Sequence, residues 1–365
     1  MMKLGVPKET VVGEMRVATT PDVVKSLVSQ GLEVVLESGA GEGSHYHDEA
    51  YIAAGATIGD AAAALGCELV AKVRKPTAGE VAQMSEGAVF IGQMEHCEPD
   101  EIDAAMHARR IRILALERVP RISRAQSMDV LSSQANIAGY RAVIEAANHY
   151  GRFMPLMMTS AGSAKPARVV VLGVGVAGLQ AIATARRLGA DVYAYDIRPE
   201  TKEQIESLGA KAIELEIGES GSGEGGYARE LSEEGKAKQQ QMLADELSKA
   251  HVIITTAQIP CRPAPELVTE AVVKNLREGS VIVDMAAGSG GNCRLSEPDQ
   301  VVCRHGVLLV GHTNYPSMMA TDASAFFAKN VANLLGIMLD TGEKGPTIKD
   351  LDEDEITAAA QMKPE

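Results

Sequence analysis

Residues 168–196 read RVVVLGVGVAGLQAIATARRLGADVYAYD, and this stretch has the clearest pattern in the chain. The run Arg168–Leu172 is rich in valine, which is typical of a buried strand. A glycine-rich turn follows, then an alanine-rich helical segment, then a second apolar strand that ends in Asp196. A strand, a helix and a strand in this order predict a parallel βαβ unit, because parallel strands need a crossover connection.

The turn of this unit has the spacing Gly173-Val-Gly175-Val-Ala-Gly178. Glycines allow a tight turn and let backbone N–H groups approach a pyrophosphate at the positive end of the following helix. Asp196 stands where a carboxylate accepts hydrogen bonds from the adenosine ribose and repels a 2′-phosphate. The pattern therefore predicts a dinucleotide site that prefers NAD. Two alternatives stay open: Arg198 is near enough to accept a 2′-phosphate, and such a turn also occurs without a ligand.

The same alternation of strand and helix continues on both sides of this unit. Further strands are predicted downstream in HVIITTA, SVIVDMA and VLLVGH, and upstream, over about 1–120, in KLGVP, LEVVLESG, CELVAKV, GAVFIG and IRILALE. Long helices are predicted at 125–150 and 317–342, and a short amphipathic helix in the tail. The expected fold is α/β, with two Rossmann-like lobes of parallel sheet separated by a cleft and linked by long helices. Residues 1–125 with about 317–365 would form the first lobe, and 126–316 the NAD(H)-binding domain.

Length, composition and charge fit two globular domains and exclude several classes of protein. The 365 residues are 45% hydrophobic and 23% charged, with a formal net charge of −14. An acidic chain without a basic cluster is a poor ligand for nucleic acid or anionic lipid, and no run of 18 apolar residues is present to span a membrane. The five widely spaced cysteines indicate a reducing compartment rather than a disulfide framework. The pattern of Cys and His predicts no metal site.

A second polar constellation lies in RISRAQSMD, before the first long helix. Arg121, Gln126 and Asp129 bring a guanidinium, a carboxamide and a carboxylate onto one loop-to-helix segment, and Ser132 follows them. These groups could grip the carboxamide of a nicotinamide, but they could also be an ordinary capped helix start. The sequence contains no GxSxG motif for a nucleophile. Direct hydride transfer needs none, because the cofactor supplies the reactivity.

A glycine-rich insertion, EIGESGSGEGGYARE, interrupts the second unit between Leu215 and Leu231. Loops of this length are uncommon in compact domains and often act as lids over a site. A plain surface insertion is the alternative interpretation.

Several segments, in order along the chain, resemble one family. They are GVPKETVVGEMRVATTP near the start, ESGAGEGS at 37–44, PRISRAQSMDVLSSQANIAGYRAV at 120–143, GVGVAGLQAIATARRLGA at 173–190, GEGGYARELSEE at 223–234, ITTAQIP at 254–260 and GGNCRLSEP at 290–298. The chain resembles the NAD(H)-binding domain I, or alpha-1 subunit, of proton-translocating NAD(P) transhydrogenases. It resembles the alanine dehydrogenases more distantly.

The resemblance implies roles for individual residues. The catalytic set that contacts nicotinamide and its ribose would be Arg121, Gln126, Asp129 and Ser132. The cofactor-binding set would be Gly173, Gly175, Val176, Ala177 and Gly178 in the turn, Asp196, Ile197 and Arg198 at the adenosine, Gly226 and Tyr227 in a mobile loop over 217–231, and Gln239 and Gln258 beside them.

The same resemblance implies an oxidoreductase that transfers hydride between NADH and NADP⁺, coupled to proton translocation. This chain would bind NAD(H), while a beta subunit would bind NADP(H) and a separate membrane subunit would carry the protons. The chain would be a homodimer in the cytoplasm, held at the inner membrane through these partners without inserting into it.

Two other functions stay open. One is an alanine dehydrogenase-like amino-acid dehydrogenase. By resemblance, Arg16 matches a substrate-binding arginine of that enzyme, and Arg74 stands at the position of its lysine, with Lys75 adjoining. His96 stands in a different context from its histidine. Gly288 replaces its aspartate, and it also departs from the transhydrogenase family, which commonly has an acidic residue there. Loss of that acid should weaken proton handling during pyruvate reduction. The other function is a non-catalytic NAD-binding module.

Overall fold

The computed structural model describes residues 2–95, 98–215, 232–342 and 345–364. The chain divides into two compact units, which we call unit 1 and unit 2. Unit 1 consists of Met1–Gln134 with Pro316–Glu365, and unit 2 of Ala135–Tyr315. Each unit is built on its own seven-stranded sheet.

The sheet of unit 1 is parallel except at one edge. Its strands are β1 (Lys3–Val6), β2 (Glu33–Glu37), β3 (Thr57–Gly59), β4 (Leu69–Ala71), β5 (Val89–Gly92), β6 (Arg112–Ala115) and β18 (Gln361–Met362). The order across the sheet is β18-β6-β5-β4-β1-β2-β3. Only the edge strand β18 runs antiparallel to its neighbour, β6.

The helices described in unit 1 are α1 (Pro21–Ser29), α2 (Asp48–Ala53), α3 (Ala61–Leu65), α4 (Ala78–Gln83), α5 (Glu101–Ala108), α11 (Ala320–Met338) and α12 (Glu355–Ala360). α1 begins at Pro21, a position where the missing N–H of proline costs no helical hydrogen bond. α11 buries Phe327, Leu334 and Leu335 in the same apolar core as Val6. Burial of this helix face therefore joins the C-terminal segment to the N-terminal sheet.

The sheet of unit 2 contains the βαβ unit predicted from residues 168–196. Its strands are β9 (Arg168–Leu172), β10 (Asp191–Tyr195), β11 (Lys211–Ala212), β12 (Val252–Thr255), β13 (Val281–Asp284), β14 (Val301–Arg304) and β15 (Val307–Val310). The order is β11-β10-β9-β12-β13-β15-β14, and only β14 and β15 pair antiparallel. The described helices are α6 (Val130–His149), which begins within unit 1, α7 (Val176–Arg187), α8 (Thr201–Ser207), α9 (Glu233–Leu247) and α10 (Glu270–Asn275). Two largely parallel sheets with helices confirm the predicted Rossmann-like α/β class.

Smaller elements complete the two units. Two-stranded sheets are formed by β7 (Met157–Thr159) with β8 (Gly162–Ala164) and by β16 (Leu339–Gly342) with β17 (Gly345–Ile348). Turns of 3₁₀ helix lie at Glu42–Ser44, Leu116–Arg118, Ser123–Met128, Ala287–Ser289 and Pro316–Met319.

Three predicted helical segments differ from the structure. The helix predicted over 125–150 is wrong at its start, because the 3₁₀ turn Ser123–Met128 ends at Asp129, whose backbone is extended with ψ of 93°, and α6 begins only at Val130. The helix predicted over 317–342 ends at Met338, because the next residues pair as β16 with β17. The tail contains the helix α12 and also the unpredicted edge strand β18.

Within the described ranges, no helix combines the length and apolar character needed to cross a membrane. The same residues contain no group of His, Cys, Asp and Glu side chains placed to hold a metal ion. Cys67, Cys293 and Cys303 are free thiols. Cys261 is disulfide-bonded.

Candidate nucleotide-binding site

The glycine turn joins β9 to α7 at the carboxyl edge of the sheet in unit 2. Gly173 has a φ of +91°, a left-handed conformation that glycine adopts without strain. A Cβ on Gly178 would lie 2.0 Å from the carbonyl oxygen of Gly173, so only glycine lets α7 pack this closely. A Cβ on Gly175 would meet nothing within 4 Å. Val176 and Ala177 begin α7, where N–H groups lack helical partners, so the turn has both space and donors for a phosphate.

This turn lies at the point where the strand order reverses. β9 pairs with β10 on one side and with β12 on the other. The carboxyl ends of β9 and β12 therefore form a topological switch point, the usual ligand position in an open α/β sheet. The hydroxyl of Thr256, directly after β12, donates to the carbonyl of Gly173 over 3.0 Å. This hydrogen bond ties the end of β12 to the glycine turn.

Asp196 follows β10, and four N–H groups hold its carboxylate. The backbone N–H of Val174 donates to Oδ2 over 2.7 Å, and that of Arg198 to Oδ1 over 2.9 Å. The Arg198 guanidinium donates from Nε to Oδ1 and from Nη2 to Oδ2, each over 2.9 Å. Hydrogen bonding to Asp196 raises the pKa of Arg198. The predicted adenosine-binding segment, with Ile197 between these two residues, thus lies directly beside the glycine turn.

Gln258 lies at the same sheet edge. It follows β12, and its Nε2 donates to the carbonyl of Met285 over 3.1 Å. Together with residues 259–263 and Ser289 it lines a pocket of about 520 Å³. Gln258 therefore lies at the same edge of the unit 2 sheet as the glycine turn.

Gln239 occupies a different environment. It lies in α9, is 6% exposed, and donates from Nε2 to the hydroxyl of Tyr195 over 3.0 Å. Burial raises the pKa of Tyr195. The amide of Gln239 thus supports the end of β10, next to Asp196, instead of lining open space. Gly226 and Tyr227, with the rest of the predicted mobile loop 217–231, lie outside the described residues.

The second predicted set lies in unit 1, on the 3₁₀ turn Ser123–Met128 and the residues that flank it. Arg121 and Gln126 are exposed. Asp129 accepts with Oδ1 from the backbone N–H of Ser132 over 2.9 Å and with Oδ2 from its hydroxyl over 2.6 Å. Asp129 therefore caps the first turn of α6. The segment therefore combines a capped helix start, formed by Asp129, with the exposed polar side chains of Arg121 and Gln126.

Side chains from the C-terminal segment hold this 3₁₀ turn. The Nδ2 atoms of Asn330 and Asn333, both in α11, donate to the carbonyl of Ser127 over 2.8 and 2.9 Å. Arg124 makes a two-point pair with Asp354, from Nη1 over 2.7 Å and from Nη2 over 2.9 Å. The turn is therefore anchored from two elements that follow it by some two hundred residues.

Family models match both halves of the chain. The N-terminal domain of alanine dehydrogenase/PNT matches residues 5–138, and the C-terminal domain of alanine dehydrogenase/PNT matches residues 142–363. The chain belongs to the alanine dehydrogenase/PNT family.

Relatives within the alanine dehydrogenase/PNT family fall into two groups. The chain is 51% identical to the first part of NAD(P) transhydrogenase subunit alpha of Rhodospirillum rubrum, over 96% of this chain and 94% of that protein. It is 29% identical to alanine dehydrogenase of Bacillus subtilis, over 91% and 86% of the two chains. A solved structure of transhydrogenase from Sinorhizobium meliloti is similar with a TM-score of 0.89 and 44% identity, over 98% of this chain and 97% of that one.

Two arginines that resemble alanine dehydrogenase positions already have partners within unit 1. The Arg16 side chain is 3% exposed and donates from Nε and Nη2 to Glu14 over 2.8 and 2.7 Å. Its Nη1 donates to Gln134 over 2.9 Å. Arg74 pairs with Glu14 over 2.8 Å and also with Glu95. Both guanidinium groups are thus neutralised by carboxylates of the chain itself.

Of the other two alanine dehydrogenase positions, the structure describes only Gly288, which has no acidic or basic side chain. Gly288 lies in unit 2, and a Cβ there would meet Thr313 Cγ2 at 3.2 Å. His96 lies outside the described residues.

Sequence reasoning missed a buried network behind the site. Asp284, at the end of β13, is fully buried. It accepts hydrogen bonds from the hydroxyl of Thr255 and from the backbone N–H groups of Ala286, Asn292 and Cys293. Asn292 donates from Nδ2 to the carbonyls of Ala257 and Pro265 over 2.9 and 2.7 Å. The network therefore fixes both ends of the segment that carries Gln258. The signal for it was an aspartate that ends an apolar strand, VIVD, just as Asp196 ends DVYAYD.

Proposed function

We propose that this chain is the NAD(H)-binding alpha subunit of a proton-translocating NAD(P) transhydrogenase. The observation that carries the proposal is the glycine turn at the switch point, with open space at Gly175 and Asp196 beside it. It occurs in a chain that matches the first part of a transhydrogenase subunit alpha over nearly the full length of both proteins. NAD(H) fits these residues because a Cβ at Gly175, where a pyrophosphate would approach, meets nothing within 4 Å.

In this proposal the chain binds and orients the cofactor and does not transfer a proton. NAD(H), when bound, carries the hydride, so an acid or a base is not required. The turn from Gly173 to Gly178 receives the pyrophosphate at the N-terminus of α7, and Asp196 with Arg198 binds the adenosine side. Gln258 contributes from the end of β12, and Gln239 acts through Tyr195. By resemblance, Gly226 and Tyr227 are assigned to the same cofactor site.

The 3₁₀ turn and its flanks orient the reactive end. Arg121 and Gln126 present a guanidinium and a carboxamide to the nicotinamide carboxamide, and Asp129 with Ser132 contacts the ribose. Such orientation has a large effect on rate, because a misplacement of about 1 Å can cost on the order of 100-fold.

The second hydride carrier, in this proposal, lies on another subunit. A beta subunit binds NADP(H), and a membrane subunit couples hydride transfer to proton translocation. The name of the Rhodospirillum rubrum relative, which makes it one portion of a subunit alpha, supports the existence of further subunits. The chain would then work on the cytoplasmic side, at the inner membrane, through these partners.

A homodimer is also proposed, and the hairpin β7–β8 supports it. Phe153, Leu156 and Met158 are 56%, 55% and 76% exposed, and the hairpin pairs with no other described strand. An isolated two-stranded hairpin is marginally stable in water, and the exposed apolar groups just before it and on it favour burial against a partner. A second copy of the chain would cover both hairpins in a symmetric contact.

Two measurements test the proposed function. The purified chain should bind NADH in a fluorescence titration, and addition of an NADP(H)-binding beta subunit should start hydride transfer from NADH to NADP⁺. Absence of NADH binding, or a strong preference for NADPH, would contradict the proposal. Robust NADH oxidation with pyruvate and ammonia would instead indicate the amino-acid dehydrogenase alternative. The ion pairs of Arg16 and Arg74 with Glu14 disfavour that alternative, because they engage the two arginines within the chain. A chain that binds NADH but never transfers hydride would be the binding module.

A further inference from the structure

The pair of Asp196 and Arg198 has a geometry that a ribose-binding carboxylate alone does not require. One backbone N–H of Val174 and three N–H groups of Arg198 donate to the carboxylate of Asp196. The guanidinium donates to both carboxylate oxygens at once. This two-point geometry is the one with which arginine recognises carboxylate and phosphate groups alike.

The pair also lies where a 2′-phosphate would be placed. In dinucleotide-binding folds the residue that ends the second strand faces the ribose 2′-hydroxyl, and a nearby arginine accommodates the 2′-phosphate of NADP. Asp196 directly follows this strand, and its bond to the N–H of Val174 holds it against the glycine turn. The side chains of Asp196 and Arg198 are 6% and 12% exposed, so the guanidinium is held beside the turn and not extended into solvent.

We propose that Arg198 is a latent 2′-phosphate site that Asp196 keeps closed. The pair, rather than the carboxylate alone, then sets the preference for NADH over NADPH. The inference rests on the proposed binding of NAD(H) at this turn. An asparagine at position 196 keeps the size of the side chain and an acceptor for Val174, but it removes the negative charge that engages Arg198. The guanidinium can then direct its two donors to a 2′-phosphate.

The test is a double-mutant cycle on nucleotide affinity. Dissociation constants for NADH and NADPH are measured by fluorescence for the wild-type chain, Asp196→Asn, Arg198→Gln and the double variant. Asp196→Asn should lower the ratio of the NADPH to the NADH dissociation constant by about tenfold or more. Arg198→Gln in the same chain should abolish that gain. The gain in relative affinity for NADPH should also shrink at high salt, because ions screen the contact between the guanidinium and the phosphate.

A matched control lies on the same strand. Asp191 begins β10, and its carboxylate pairs with Lys211 over 2.9 Å at the opposite end from the glycine turn. Asp191→Asn makes the same change of acid to amide and should leave the ratio unchanged.

Two results would overturn the inference: an unchanged ratio in Asp196→Asn, or a gain that survives in the double variant. If Asp196→Asn fails to fold, Asp196→Ser, which also keeps an acceptor for Val174, is measured in its place. A wild-type chain that binds neither nucleotide would instead contradict the proposed function itself.

Discussion

Gly175 and Gly178 restrict the nucleotide turn in different ways. A Cβ on Gly178 would lie 2.0 Å from a backbone carbonyl oxygen, whereas one on Gly175 would meet nothing within 4 Å. Gly178→Ala should therefore lower the free energy of unfolding by about 1–3 kcal/mol. Gly175→Ala should leave stability nearly unchanged but weaken NADH binding about tenfold or more, because the methyl group takes space needed by the pyrophosphate. Thermal unfolding and NADH titration of the two variants separate these effects. Unchanged NADH affinity in Gly175→Ala would contradict the placement of the pyrophosphate.

Glu9, in unit 1, is a buried carboxyl group, and burial makes its ionised form unfavourable in the folded chain. Its side chain is 3% exposed and lies 3.7 Å from Lys72 Nζ. The backbone N–H of Val73 donates to it over 2.6 Å. Burial raises the pKa of Glu9 from 4.5 to about 7, against the opposing effect of Lys72. The folded chain therefore holds this proton more tightly than the unfolded chain does.

This shift predicts a specific pH dependence of stability. Protonation of Glu9 favours the folded chain. This contribution to the free energy of unfolding is fully present below about pH 4.5 and is lost as the pH rises through about 7. Glu9→Gln keeps an acceptor for Val73 and cannot ionise, so its Tm relative to wild type should rise between pH 5 and pH 8. The corresponding gain in the free energy of unfolding of Glu9→Gln over wild type is at most about 3 kcal/mol. Glu33→Gln, at an exposed carboxylate 3.3 Å from Lys3, is the control and should follow the wild-type profile. Parallel profiles for Glu9→Gln and wild type would contradict the assignment.

At the scale of elements, α11 positions the 3₁₀ turn. Asn330 is 6% exposed and bridges two groups, since it donates to the carbonyl of Ser127 and accepts from the hydroxyl of Ser133 over 2.7 Å. Asn333 is exposed and donates to the same carbonyl of Ser127. Asn330 therefore links the turn to the first residues of α6, while Asn333 only supports the turn.

Asn330→Ala should slow hydride transfer about tenfold or more and change the NADH dissociation constant by less than about threefold. The physical reason is that, in the proposed function, the turn orients the nicotinamide and contributes to rate more than to NADH affinity. Gln126→Ala should show the same split between rate and affinity. Asn333→Ala, which removes the exposed donor to the same carbonyl, is the matched control and should have a smaller effect. The rate of hydride transfer is measured by stopped-flow spectrophotometry, and the NADH dissociation constant is measured by titration. Equal losses of rate and affinity in Asn330→Ala would contradict a positioning role.

The elements also show what sequence patterns can and cannot predict. The apolar runs and the glycine spacing predicted five strands of each sheet and the turn, because these signals are local, whereas the short strands β3 and β11 and the strand β14 were not predicted. The bond from Asn330 to Ser127 spans 203 residues, and a single sequence carries no pattern for such a pairing. The start of α6 was misplaced because apolar residues continue upstream through Ala125, whereas the Asp129 side chain determines where the helix begins. The edge strand β18 has two residues, too few for a periodic signal.

At the scale of the whole molecule, the exposed hairpin predicts the oligomeric state. Met158→Glu places a charge on the most exposed apolar residue of the hairpin and should convert a dimer to a monomer in light-scattering measurements. Val12, in unit 1, is fully exposed, and Val12→Glu is a control that should leave the dimer intact. A wild-type monomer, or a dimer that survives Met158→Glu unchanged, would contradict the proposed contact.

The central claim is that this chain delivers hydride from NADH to a nucleotide held by another subunit. The most direct measurement is NADH-dependent reduction of NADP⁺ by the purified chain mixed with an NADP(H)-binding beta subunit, followed in a stopped-flow spectrophotometer. We predict rapid hydride transfer only when both proteins are present, a slower rate with Gln126→Ala, and no turnover with pyruvate and ammonia. Robust NADH oxidation with pyruvate and ammonia, or NADH binding that never leads to reduction of NADP⁺ with the beta subunit present, would contradict the claim.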